Sequence, residues 1–171
     1  MDILKAVEDK HIMSMCLDEA MEAFKSDEVP VGAVMLSSYN KVIARAHNQT
    51  IFNNSPMAHA EILVIDSASK ILGNCRLTGC TLFVTKEPCI MCAGAIIEAR
   101  IKRVVFGCYD TKKGALVSLI NINQLPLNHK VEITGGVLEE KSREILKDFF
   151  KMRRGTEVVI TGPTRNRLYA L

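Results

Sequence analysis

The chain has 171 residues, 48% of them hydrophobic and 24% charged, with a formal net charge of +3. That length suits a single domain with a real core, and the mild positive charge permits a nucleic-acid partner without requiring one. No run approaches about 18 uninterrupted apolar residues, so no membrane-spanning helix and no membrane partner are expected; the charged opening (Asp2, Lys5, Glu8, Asp9, Lys10) does not read as a secretory signal, which leaves a cytoplasmic protein with its six cysteines reduced.

Met13, Cys16, Leu17, Ala20 and Phe24 recur at helical spacing and predict a first helix over residues 4–24. A nearly continuous apolar run over 29–36 predicts a buried strand starting at or after Pro30. A turn-like segment follows, and residues 41–46 then read as a second strand of a hairpin. Residues 47–55 are rich in Asn, Thr and Gln and read as a loop. Pro56 introduces a helical pattern (Ala60, Leu63, Val64, Ala68) that stops at Gly73. Residues 81–85 form a short β-branched strand, and Pro88 suits the first turn of a helix running to about residue 100. Strands are expected over 103–107 and 131–134, with an unpatterned stretch between them. A last helix over 139–154 has Ser142, Ile145, Leu146, Phe149 and Met152 on one face. Strands alternating with helices predict an α/β fold with helices on both faces of one sheet. One domain over residues 1–154 is expected, with 155–171 as an appended tail interrupted by Gly155, Gly162 and Pro163.

Two fragments carry the chemistry: His59-Ala60-Glu61 and Pro88-Cys89-Ile90-Met91-Cys92. Cys89 and Cys92 are three apart and share a face of a helix. A helix N-terminus favours the thiolate form that a metal ligand needs. His59 also lies near a helix start, so two helix N-termini meeting at one sheet edge can present three ligands to one Zn2+. Three ligands leave a tetrahedral zinc one open position, the mark of a catalytic site. Water there has its pKa brought to about 7, and Glu61, which need not touch the metal, is placed to take its proton and pass it on. That is what hydrolytic deamination of an amidine-like ring requires. A non-catalytic zinc module has no use for the carboxylate.

The paired fragments are the H-x-E…P-C-x-x-C signature of zinc-dependent deaminases. Around them, Asp27-Glu28-Val29-Pro30-Val31-Gly32, Thr85-Lys86-Glu87-Pro88-Cys89, Arg103-Val104-Val105-Phe106-Gly107, Asn128-His129-Lys130-Val131 and Asp148-Phe149-Phe150-Lys151-Met152-Arg153-Arg154 resemble the bacterial tRNA adenosine deaminase family in register over residues 10–154. Free-base deaminases share the zinc motifs but usually not Asn128-His129 or the final Phe-Phe-x-x-Arg-Arg. The resemblance implies a three-layer α/β/α cytidine deaminase-like fold with a central five-stranded mixed sheet. It implies a homodimer with one zinc per subunit that converts adenosine to inosine at the wobble position of a tRNA anticodon, chiefly in an arginine tRNA. His59, Cys89 and Cys92 are then the ligands and Glu61 the proton shuttle. Asn48 meets the flipped base, Asp110 lies in the loop beside the adjoining nucleotide, and Lys151, Arg153 and Arg154 meet phosphates; Phe150, adjacent to Phe149 and so on another face of the helix, either covers the active-site mouth or packs at its margin. Cys108-Tyr109 and the tail depart from the family pattern. The zinc motif alone equally fits a deaminase of free guanine, cytosine or a nucleoside.

Overall fold

The computed structural model describes residues 3–156, with side chains from Leu4 to Arg154. Apart from the backbone of its first two residues, the tail expected at 155–171 lies outside that range. The elements in chain order are α1 (Ile3–Lys25), β1 (Gly32–Leu36), β2 (Val42–His47), α2 (Ala60–Leu72), β3 (Thr81–Lys86), α3 (Ile90–Glu98), β4 (Arg103–Cys108), β5 (Glu132–Thr134) and α4 (Glu139–Thr156). The unpatterned stretch between β4 and β5 holds a single 3-10 turn at Ile122–Gln124.

The strands form one mixed sheet in the order β2-β1-β3-β4-β5, with β1 antiparallel to β2 and β3, and β4 parallel to β3 and β5. β1 and β4 are buried along their whole length, because both sheet faces are covered. Alternate side chains divide between two cores. Ala33, Met35, Leu82, Val84, Val104 and Phe106 pack with α2 and α3 through Val64, Ala68, Ala93 and Ile96. Val34, Leu36, Phe83 and Val105 pack against Ile12, Met13 and Cys16 of α1. The period of two along each strand produces both layers. α4 joins α1 on that second face: its Ser142 lies against Gly107 of β4, and Phe149 meets Phe24 of α1 edge-on. The α/β/α layering matches expectation.

Several boundaries moved for physical reasons. β1 starts at Gly32 because Val31 N–H donates to Val29 O, 2.8 Å, in a tight turn around Pro30. α2 starts at Ala60, after Pro56 as expected; most of residues 50–57 fold as turns, and Asn48 supplies the cap, its Oδ1 accepting from Ala60 N at 2.8 Å. α2 ends where expected, on Gly73 in the left-handed region (φ 61°), with Gly73 and Asn74 N–H groups closing onto Lys70 O and Ser69 O. α3 starts at Ile90, with Cys89 as its extended N-cap (φ −75°, ψ 174°). Met152, expected on the packed face of α4, is exposed, because by the last two turns only Phe149 still reaches the core.

Candidate active site

The site lies at the carboxyl ends of the parallel strands β3 and β4, where the chain turns into α3 and into the loop beginning at Tyr109. His59, as N-cap of α2, and Cys89, as N-cap of α3, meet there, and Cys92 joins them from the first turn of α3. Cys89 Sγ lies 3.6 Å from Cys92 Sγ, and His59 Nδ1 lies 3.7 Å and 3.5 Å from the two sulfurs. Tetrahedral zinc, about 2.3 Å from sulfur and about 2.0–2.1 Å from nitrogen, sets its ligand atoms about 3.5–3.8 Å apart, so the triangle fits that ion. The three donors are shifted in different directions, and only Cys89 is moved toward its deprotonated form. Hydrogen bonding with Cys92, joined by His59, holds the Cys89 thiol down to about 3 against burial. Cys92 is pushed up by the neighbouring Cys89 sulfur and by burial. The Cys89 hydrogen bond also raises His59.

A cavity of about 420 Å³ opens beside the triangle. Asn48, Glu61, Asp110 and Phe150 all line it, together with His59 and Cys89. Glu61 is buried at 4% exposure, and burial raises its carboxyl above the usual range. A shift in that direction favours the protonated form, which suits a group that must carry a proton. Asn48 is buried and its amide is oriented by the bond to Ala60 N. Asp110 is occupied by its own loop: Oδ1 accepts from Lys112 N and Lys113 N, and Oδ2 pairs with Lys86 Nζ at 2.6 Å. Burial opposes the charge on Asp110, but the Lys86 and backbone hydrogen bonds win and lower its pKa. Lys151, Arg153 and Arg154 do not line the cavity. Arg153 turns back onto the protein, with Nη2 2.8 Å from the Asp27 carbonyl and from its carboxylate.

The sequence reading assigned nothing to Lys86, Lys112 and Lys113, which line the cavity, nor to two buried carboxylates that shape it. Glu87 Oε1 accepts from Val117 N and Ser118 N at 2.8 Å and 2.9 Å, and Oε2 from Asp110 N. Burial pushes Glu87 up, yet these bonds and that of Ser118 Oγ hold its pKa low overall. Ala115 N donates to Pro88 O, and Gly114 bridges Cys89, so the loop after β4 is stapled to the His59/Cys89/Cys92 triangle. Glu28 holds a second loop, accepting from Thr50 Oγ1, Ile51 N and Phe52 N at 2.7–2.9 Å, and Thr50 lines the cavity. An acidic residue within each of two quoted segments, Glu28 and Glu87, was the available signal, but sequence alone does not reveal which backbone it will face.

A five-stranded mixed sheet presenting a His/Cys/Cys triangle and a buried glutamate to one cavity defines an enzyme of the cytidine deaminase-like class. A family model described as MafB19-like deaminase matches residues 7–154. Among curated proteins, the tRNA-specific adenosine deaminase of Bacillus subtilis (strain 168) is 45% identical over 148 residues, covering 86% of this chain and 91% of its own. That of Aquifex aeolicus (strain VF5) is 43% identical over 146 residues, covering 85% and 95%. A solved structure from studies of A-to-I editing by tRNA:A34 deaminases superposes with a TM-score of 0.77 at 45% identity, covering 80% of this chain and 99% of that one. A guanine deaminase from Nitrosomonas europaea shares the fold, with a TM-score of 0.69 at 21% identity over 82% and 83% of the two chains. The chain belongs to the tRNA-specific adenosine deaminase family.

Proposed function

We propose that this protein hydrolyses adenosine to inosine at the wobble position of a tRNA anticodon, releasing ammonia, with an arginine tRNA as the substrate the family resemblance implies. The observation that carries the chemistry is the His59/Cys89/Cys92 triangle opening onto the same cavity as Glu61; the substrate is supported by relatives of that name at over 40% identity. His59, Cys89 and Cys92 would hold one zinc ion per subunit, which when bound lowers the pKa of a water in its fourth position to about 7.

The chain's own groups do the rest. Glu61 accepts a proton, delivers it to the purine ring nitrogen beside the reacting carbon, and later protonates the departing amine. Asn48, its carbonyl oxygen tied to α2, keeps its NH2 as a donor for the base. Phe150 offers an aromatic surface to the turned-out ring. An anticodon loop presents unpaired bases, so extruding one costs only a few kcal/mol. Asp110 shapes the loop beside the neighbouring nucleotide, and Lys112, Lys113, Lys151 and Arg154 supply positive charge for phosphates. Ile90, Val117 and Leu119 are exposed on segments that the Cys89–Gly114 bridge brings side by side, an apolar surface suited to a second copy in a homodimer. No helix among the described residues is long and apolar enough to cross a membrane, and a tRNA substrate calls for the cytoplasm.

Incubation with an anticodon stem-loop carrying a wobble adenosine, beside free adenine, guanine and cytosine, tests the reading. Inosine in the digested stem-loop and inert free bases are expected. Turnover of free guanine or cytosine with an untouched stem-loop would sink it.

A further inference from the structure

From Lys147 to Arg154 only Phe149 is buried, yet Phe150, in that same stretch, is a wall of the cavity. Few contacts therefore fix that wall. On one side, Phe150 stands edge-on to Phe149 at 5.5 Å, and Phe149 edge-on to Phe24 of α1 at 5.6 Å. On the other side is Arg153, one turn beyond. Its Nη2 reaches both the carbonyl and the carboxylate of Asp27, and its guanidinium lies 5.4 Å from the Phe149 ring centre. Asp27 sits in the α1–β1 turn in the left-handed region, φ 62°, which Asp tolerates better than most residues. The next residues run straight to the cavity: Glu28 holds the Thr50–Phe52 backbone, while Val29 and Val31 line the cavity itself. One turn thus ties down two walls, the 50–52 loop through Glu28 and α4 through Asp27.

We propose that Arg153 is a positioning residue that clamps the last turn of α4 to the α1–β1 turn and so fixes Phe150 as a cavity wall, rather than a residue that meets phosphate. A helix end with so little burial frays unless tied, and a fraying last turn would loosen the surface against which a planar base packs. The role of the base rests on the RNA reading above; the clamp does not.

The chain contains no tryptophan, so Phe150→Trp gives a single reporter on the wall. In the zinc-loaded F150W protein, adding Arg153→Gln is expected to raise the acrylamide quenching constant of that tryptophan about twofold and to lower its anisotropy. Asp27→Asn keeps a side chain that tolerates positive φ and leaves the carbonyl contact, so it should act in the same direction but less. The two changes together should be less than additive. In parallel, binding of a labelled anticodon stem-loop is titrated against salt. A clamp leaves the slope of log affinity on log salt unchanged in Arg153→Gln, whereas loss of a phosphate contact flattens it by about 1. Unaltered quenching, or a slope flattened by that amount, overturns the proposal. A wild-type protein that binds no stem-loop would remove the RNA reading and leave quenching to decide the clamp.

Discussion

Glu61 combines two properties that a proton shuttle needs. It is buried, which raises its pKa, and it stands in the first turn of α2, two residues from His59, opening on the same cavity. It is not part of the His59/Cys89/Cys92 triangle. Glu61→Ala should therefore leave the fold and about one zinc per chain intact while abolishing deamination, a loss on the order of 10³-fold or more. Metal analysis and an inosine assay on the same preparation check this; substantial residual turnover would reassign the shuttle. Cys89 should behave differently, because it is one of the three groups placed to hold the metal. Cys89→Ala should bind zinc weakly or not at all, and metal analysis finding a full equivalent would show that the donor set is wrong.

At the scale of elements, the site depends on where two helices begin. Cys89 is an N-cap because the segment before α3 is drawn out by the Ala115 N–Pro88 O bond and the bridge to Gly114. His59 is an N-cap because Asn48, from the end of β2, caps α2 in its place. Both helix types were legible from apolar spacing and from Pro and Gly punctuation; the first turns were not, because the groups that fix them come from other elements. The same holds for α1 against β1. Gly32 allows close approach, since a Cβ there would overlap the Cys16 carbonyl oxygen and Ala20 N of α1. Gly32→Ala must push α1 off the sheet. The expected cost is about 2–3 kcal/mol, seen as a fall of roughly 5–10 °C in melting temperature; a thermal melt within a degree of wild type would show that α1 yields freely.

At the scale of the whole molecule, a buried ion pair links the first helix to the central sheet. Arg103, at the start of β4, grips Asp9 of α1 through both terminal nitrogens at 2.9 Å and 2.6 Å, and also bonds Thr134 Oγ1 of β5. Both side chains of the pair are about one-tenth exposed, so removing one partner strands a buried charge. Arg103→Met is expected to destabilise by about 3–5 kcal/mol in urea unfolding, and adding Asp9→Leu to recover most of it. A single-variant cost under about 1 kcal/mol would remove the pair as an anchor. Nothing in the local pattern singled out Arg103 or Asp9, which are 94 residues apart.

The sequence by itself determined the periodicities, and with them the alternation of helices and strands, the two-sided burial of the sheet, and the choice of His59, Cys89, Cys92 and Glu61 as the groups to look for at one site. Those are local properties: side-chain spacing, proline and glycine placement, and residue chemistry. Tertiary structure alone decided which oxygen caps which helix and that Glu28 and Glu87 face the two loops beside the cavity. It also decided that Asp110 is paired with Lys86 and that Arg153 is turned onto Asp27. Each depends on backbone groups and charges brought together across the fold, and hydrogen bonding and ion pairing act only at contact distance, which the linear order of residues does not specify.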